Sequence, residues 1–123
     1  MSYYLDVEKK DEVLWVKATG TRSFENVLAI SKDIMAACTE HEVKRVLLDV
    51  RPLKGRLSTM EAYEIPDKYF PKIRDRSVVE RTAIVDWKEA NGRAPFFELV
   101  AENRGFVLHI FPKIDQALHW LTS

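Results

Sequence analysis

Arg51, Lys54 and Arg56 flank Gly55 directly before Ser58-Thr59-Met60-Glu61, a serine followed three residues later by a glutamate. That spacing is a capping box: the serine oxygen takes one unpaired backbone N–H of a helix start, and the glutamate returns to the serine's own N–H. Cations beside such a start make a candidate anion-binding loop for a phosphate or carboxylate; solvated loop cations are the competing reading, and no glycine-rich phosphate loop decides between them. Asp49 and Asp86 fall late in two apolar runs. They would serve acid–base chemistry or a metal if they approached each other without a neutralising cation, whereas strand-end aspartates that accept loop N–H groups are the structural alternative. Cys38 and His41 lie three apart, and with no second Cys or His cluster to complete a closed zinc site no metal is expected. His109 and His119 have no serine or cysteine elbow at a recognisable spacing, so no hydrolase constellation is present. The expectation is a protein that is not an enzyme and uses no cofactor.

Tyr63, Tyr69, Phe70, Phe96 and Phe97 gather in two neighbouring segments. Tyr63, Phe70 and Phe97 are candidate walls of an apolar pocket, with Arg51 or Arg56 holding the anionic head of an amphipathic ligand. The same rings also fill cores and homodimer faces. Lys68, Lys72, Arg74 and Arg76 form a basic run that Asp67, Asp75 and Glu80 interrupt, and without interleaved stacking aromatics it reads as a solvated face, not a nucleic-acid site.

These residues must be placed by elements that the pattern also supplies. Residues 4 to 8 and 13 to 19 are β-prone around Lys9-Lys10-Asp11-Glu12, a hairpin. Phe24, Val27, Leu28, Ser31, Ile34, Met35 and Cys38 recur at helical steps after Ser23, a fitting N-cap. Val46 to Val50 form a buried strand, with residues 45 to 50 central in the sheet, and a second helix begins at Ser58 and should break or kink near residue 65, because Pro66 and Pro71 each remove a backbone donor. Residues 82 to 87 give a further strand; Asn91-Gly92 mark a turn, Pro95 opens a helix and Gly105 closes it in a left-handed conformation. Residues 106 to 111 read as the last strand, and Ile114, Ala117, Leu118 and Leu121 make one face of a final helix.

The order ββαβαβαβα predicts one α/β domain over residues 1–123, with an N-terminal β-hairpin, crossover helices and a mixed, mostly parallel five-stranded sheet. With 123 residues, 46% of them hydrophobic and 31% charged, the chain can bury one core without metal or disulfide staples. Nineteen basic residues balance nineteen acidic ones, so no global field recruits nucleic acid or an anionic membrane. The single Cys38 suits a reducing compartment, and neither an export signal nor a membrane span is visible. A cytoplasmic protein is expected.

Three stretches, Leu47-Leu48-Asp49-Val50-Arg51, Ala101-Glu102-Asn103-Arg104-Gly105 and Phe111 with Ala117-Leu118-His119-Trp120-Leu121, resemble the STAS domains of bacterial anti-sigma-factor antagonists. The likeness is to the divergent SpoIIAA-like branch, also described as resembling CRAL-TRIO lipid-binding domains. The resemblance implies a STAS-like fold and a regulatory role. It also implies a phosphorylated serine at the start of the helix after the third strand, the place of Ser58, where the family's Asp-Ser-Ser-Gly is replaced by Leu57-Ser58-Thr59-Met60. The leading expectation is a non-enzymatic regulatory or protein-interaction module whose partner is another protein, with a homodimer left open. The alternative is a carrier or sensor of a small apolar or amphipathic, lipid-like ligand with an anionic group.

Overall fold

Strand β1 (Tyr3–Lys10) folds back on β2 (Val13–Thr21) through Asp11 and Glu12 alone, both at positive φ. Two left-handed residues are what a two-residue hairpin needs to match the twist of its strands. In the computed structural model, which describes residues 2–75, 77–87 and 94–123, the expected Asn91-Gly92 turn lies outside the described residues. Gly20 closes the other end of the hairpin, where an added Cβ would sit 2.1 Å from the Ser2 carbonyl oxygen. Only glycine lets the chain pass that close.

Helix α1 (Phe24–His41) starts at Ser23, whose hydroxyl accepts the Asn26 N–H at 3.1 Å. It carries the chain to β3 (Arg45–Asp49), which pairs parallel with β2. A two-residue strand β4 (Leu53–Lys54) then returns to the end of β2. The sheet therefore has six strands, the expected five along the path β1-β2-β3-β5-β6 plus this short addition. Pro52 precedes it, and two residues carry no period from which a strand could be read.

Ser58 caps α2 (Thr59–Glu64) with both arms of the capping box in place. The prolines do not break the helix: Ile65–Tyr69 form a π-helical turn, with the Phe70 N–H reaching Ile65 O, and α3 (Phe70–Ile73) continues beyond it. A π turn accommodates a missing donor by shifting the register of hydrogen bonds by one residue. The two short α pieces are thus joined. Strand β5 (Arg81–Val85), helix α4 (Ala94–Asn103), strand β6 (Leu108–Phe111) and helix α5 (Ile114–Thr122) complete the chain. Gly105, at positive φ, ends α4, with the Phe106 N–H bonded to Ala101 O and the Gly105 N–H to Glu102 O, the Schellman arrangement.

β2, β3, β5 and β6 run parallel, with Leu48 opposite Ile84 and Ile84 opposite Ile110. Side-chain alternation divides the core in two. On one face, α5 packs Ala117 and Leu121 against Val13, Leu47, Ala83 and Val85. On the other, α1 covers Leu14, Val16, Val46 and Leu48, while Ile65, Phe70, Ala101 and Phe106 enclose Leu108. The edge strand β6 is guarded by Glu98 of α4, which accepts the Ile110 N–H at 2.7 Å and removes a donor that a foreign strand would need.

Candidate functional site

The second face is not closed. Between α1, the α2–α3 segment and α4, a cavity of about 120 Å³ opens over the sheet. Its floor is the even-numbered face of β3, β5 and β6, Leu48, Thr82, Ile84, Leu108 and Ile110, and its walls include Ile30, Ile34, Phe70 and Phe97. Three arginines, Arg22, Arg56 and Arg74, line it together with Asp86.

Asp86 follows β5 and is almost fully buried. Arg22, in the β2–α1 connection, donates to both its oxygens, at 2.8 and 3.1 Å, and to Val50 O at 3.2 Å. Asp86 also accepts the Trp87 N–H at 2.8 Å. This bidentate pair ties the β2–α1 connection to the carboxyl ends of β3 and β5. The Arg22 Nε–H remains buried without a partner.

Arg74 stands at the other end of β5. It donates to the Thr82 hydroxyl and lies over the rings of Phe70 and Phe106, 5.1 and 5.9 Å from their centroids. Burial lowers its pKa to about 10, partly opposed by Cys38 nearby, so the guanidinium is charged at neutral pH. Among the described residues no carboxylate pairs with it. By strand rise, Thr82 and Asp86 are about 13 Å apart. The cavity is thus an apolar channel with a neutralised ion pair at one end and an unanswered cation at the other.

The expected site residues are dispersed differently. Arg51 donates to both oxygens of Asp49 at 2.9 Å and stacks 5.5 Å from the Trp87 ring centroid. Burial pushes the Asp49 carboxyl up, but the hydrogen bonds and charge of Arg51 outweigh that and hold it below the usual carboxylate range. Lys54 is exposed on β4, and only Arg56 of the three loop cations lines the cavity. Asp49 and Asp86 are each neutralised by their own arginine, so they do not form a carboxylate pair for a metal. Phe70 and Phe97 do line the cavity, but Tyr63 does not; it is exposed and stacked on Phe96 at 6.1 Å. Within α2, Ala62 takes the inward position, and its neighbour in sequence points elsewhere. Ser58 is exposed, accepting the Glu61 N–H at 3.1 Å while Glu61 accepts its own N–H at 2.8 Å. Cys38 is buried in the core, and burial raises its pKa to about 11 despite the charge of Arg74.

Arg74 is the residue that the sequence pattern misplaced. The basic run reads as a solvated face, but Arg76 lies outside the described residues, and Arg74 turns inward because it is the C-cap of α3, where the backbone becomes extended. The one signal in the sequence is its place four residues after Phe70, on the same side of the helix.

No family model matches the sequence and no curated protein matches it. Among solved structures, an anti-sigma factor antagonist from Mycobacterium paratuberculosis superposes with a TM-score of 0.61 at 20% identity, over 99% of this chain and 96% of that one. An uncharacterized protein of the DUF3478 family with a SpoIIAA-like fold, from Shewanella loihica PV-4, does so at 0.55 and 17% identity, over 98% and 93%. The chain therefore has the SpoIIAA-like fold that the sequence resemblance implied. Likeness at this level of identity is a statement about fold.

Proposed function

We propose that this protein is a non-enzymatic regulatory module of the STAS type that acts by binding another protein in the cytoplasm. The observation that carries the reading is an exposed apolar patch beside Ser58. Met60 and Tyr63 are 64% and 40% exposed, and Phe96 and Leu99 are 39% and 54% exposed. Each pair is three apart on its helix and so shares a face, and the Tyr63–Phe96 stack joins the two faces. Methionine and aromatic residues are enriched at protein interfaces. The antagonist fold of the mycobacterial structure supports the same reading, as does a free cysteine kept buried, which fits a reducing compartment. Among the described residues no helix is long and apolar enough to cross a membrane.

Ser58 is the modification site in this proposal. A phosphate there would stand against the Glu61 carboxylate that closes the capping box, placing new negative charge at the border of the patch. The test is affinity capture from cell extract with the wild type and with Phe96→Asp. A partner retained by the wild type should be lost from the variant while its circular dichroism is unchanged; identical capture by both would overturn the patch as the interface.

A second reading, a carrier or sensor of a small amphipathic anion, is favoured by the cavity. Its volume narrows the ligand: an engineered apolar cavity of roughly 150 Å³ holds benzene, and sites for drug-sized molecules run from about 300 Å³. A long-chain lipid does not fit about 120 Å³. Entry of a neutral apolar probe, toluene, followed by NMR, tests whether the cavity takes a ligand at all.

A further inference from the structure

Among the described residues, two cations of the cavity lining, Arg56 and Arg74, have no carboxylate partner. Arg22 is balanced by Asp86, and Arg56 is exposed to solvent. Arg74 has one hydroxyl acceptor and two ring faces, although a guanidinium carries five N–H donors. Arg74 is partly buried, and a cation so placed loses part of its hydration, which an anion in the cavity would make good.

We propose that the cavity binds a small monocarboxylic acid with a compact apolar body, its carboxylate on the Arg74 guanidinium and its body against Ile34, Leu48, Ile84, Phe97 and Leu108. The inference deepens the carrier reading and rests on it. Charge sets the sign: Arg56, in the same lining, is exposed to solvent, so the charge to be answered inside the cavity is the single one of Arg74, which a monoanion neutralises. Shape sets the group, because the planar guanidinium fork suits a carboxylate and one Nη2 contact to Thr82 leaves other donors of the fork free. Size sets the body at about one benzene ring, by the comparison of volumes above.

The probe is sodium benzoate, titrated into the ¹⁵N-labelled protein, with toluene as its neutral isostere. Benzoate should shift the amides of Thr82, Ile84 and Leu108 and the Nε–H of Arg74. In Arg74→Met its affinity should fall by about tenfold or more, the worth of a charged hydrogen bond, while toluene binding is retained and Arg51→Ala changes neither. Equal benzoate affinity in the wild type and Arg74→Met would overturn the assignment. Should that variant not fold, the Arg74 Nε–H of the wild type reads the same contact, and its failure to move under saturating benzoate is equally fatal. If toluene enters and benzoate is excluded, the cavity reading stands and the Arg74 proposal falls; if neither enters, both fall.

Discussion

Arg22 and Asp86 are 64 residues apart in sequence and share two hydrogen bonds in a site where the carboxylate is almost fully buried. Removing one member of such a pair leaves the other as a buried charge, which typically costs 3–5 kcal/mol, more than the net worth of the pair. Arg22→Ala should therefore lower unfolding stability by about 3 kcal/mol in urea titration. Adding Asp86→Asn should restore much of the loss, because the stranded charge is then gone; a double variant no better than the single one would place the cost in packing. Asp86 was legible as a strand-end carboxylate that accepts a neighbouring loop N–H. Its partner was not, since nothing in a chain segment around Arg22 points to a residue so far along the sequence. Arg51 has a local partner that its spacing allows: two residues after Asp49, it bonds both oxygens of that carboxylate.

At the scale of elements, Ser58 has a structural task. Its hydroxyl and Glu61 satisfy two backbone donors at the start of α2, a helix of six residues that has little stability of its own. Ser58→Ala should cost about 1 kcal/mol in urea titration, and Ser58→Asp much less, because aspartate caps nearly as well. Equal losses in the two would mean that the cap is not what holds the segment. This helix start, the α1 cap at Ser23 and the Schellman turn at Gly105 were all legible, since each rests on chemistry within five residues. The hairpin and the mostly parallel character of the sheet followed from short apolar runs between crossover helices, which leave few arrangements; the order β1-β2-β3-β5-β6 was not read from the sequence. β4 and the π turn escaped for opposite reasons: two residues are too few to show a period, and the prolines at 66 and 71 mark a missing donor without saying whether the chain breaks or slips register.

For the whole molecule, the cavity and Arg74 pull against stability, and that opposition is itself testable. A closed core of this fold would place an apolar side chain where the guanidinium sits, and proteins commonly trade stability for a binding site in this way. Replacing Arg74 by methionine removes a partly buried cation, and replacing Thr82 by valine removes the hydroxyl left behind, which is otherwise 2% exposed with its partner gone. Substituting apolar residues for buried charges is often stabilising by 1–4 kcal/mol, so Arg74→Met with Thr82→Val should raise the stability of the ligand-free protein by about 1 kcal/mol, or about 4 °C in Tm for a domain of this size. Calorimetry in the absence of any carboxylate is the measurement. A fall in Tm would mean that the stacking of Arg74 on Phe70 and Phe106 outweighs its desolvation, and the guanidinium would then be a strut between α3 and the core. A rise, together with loss of benzoate binding in the same double variant, would identify a charge that the fold tolerates for the sake of what it binds.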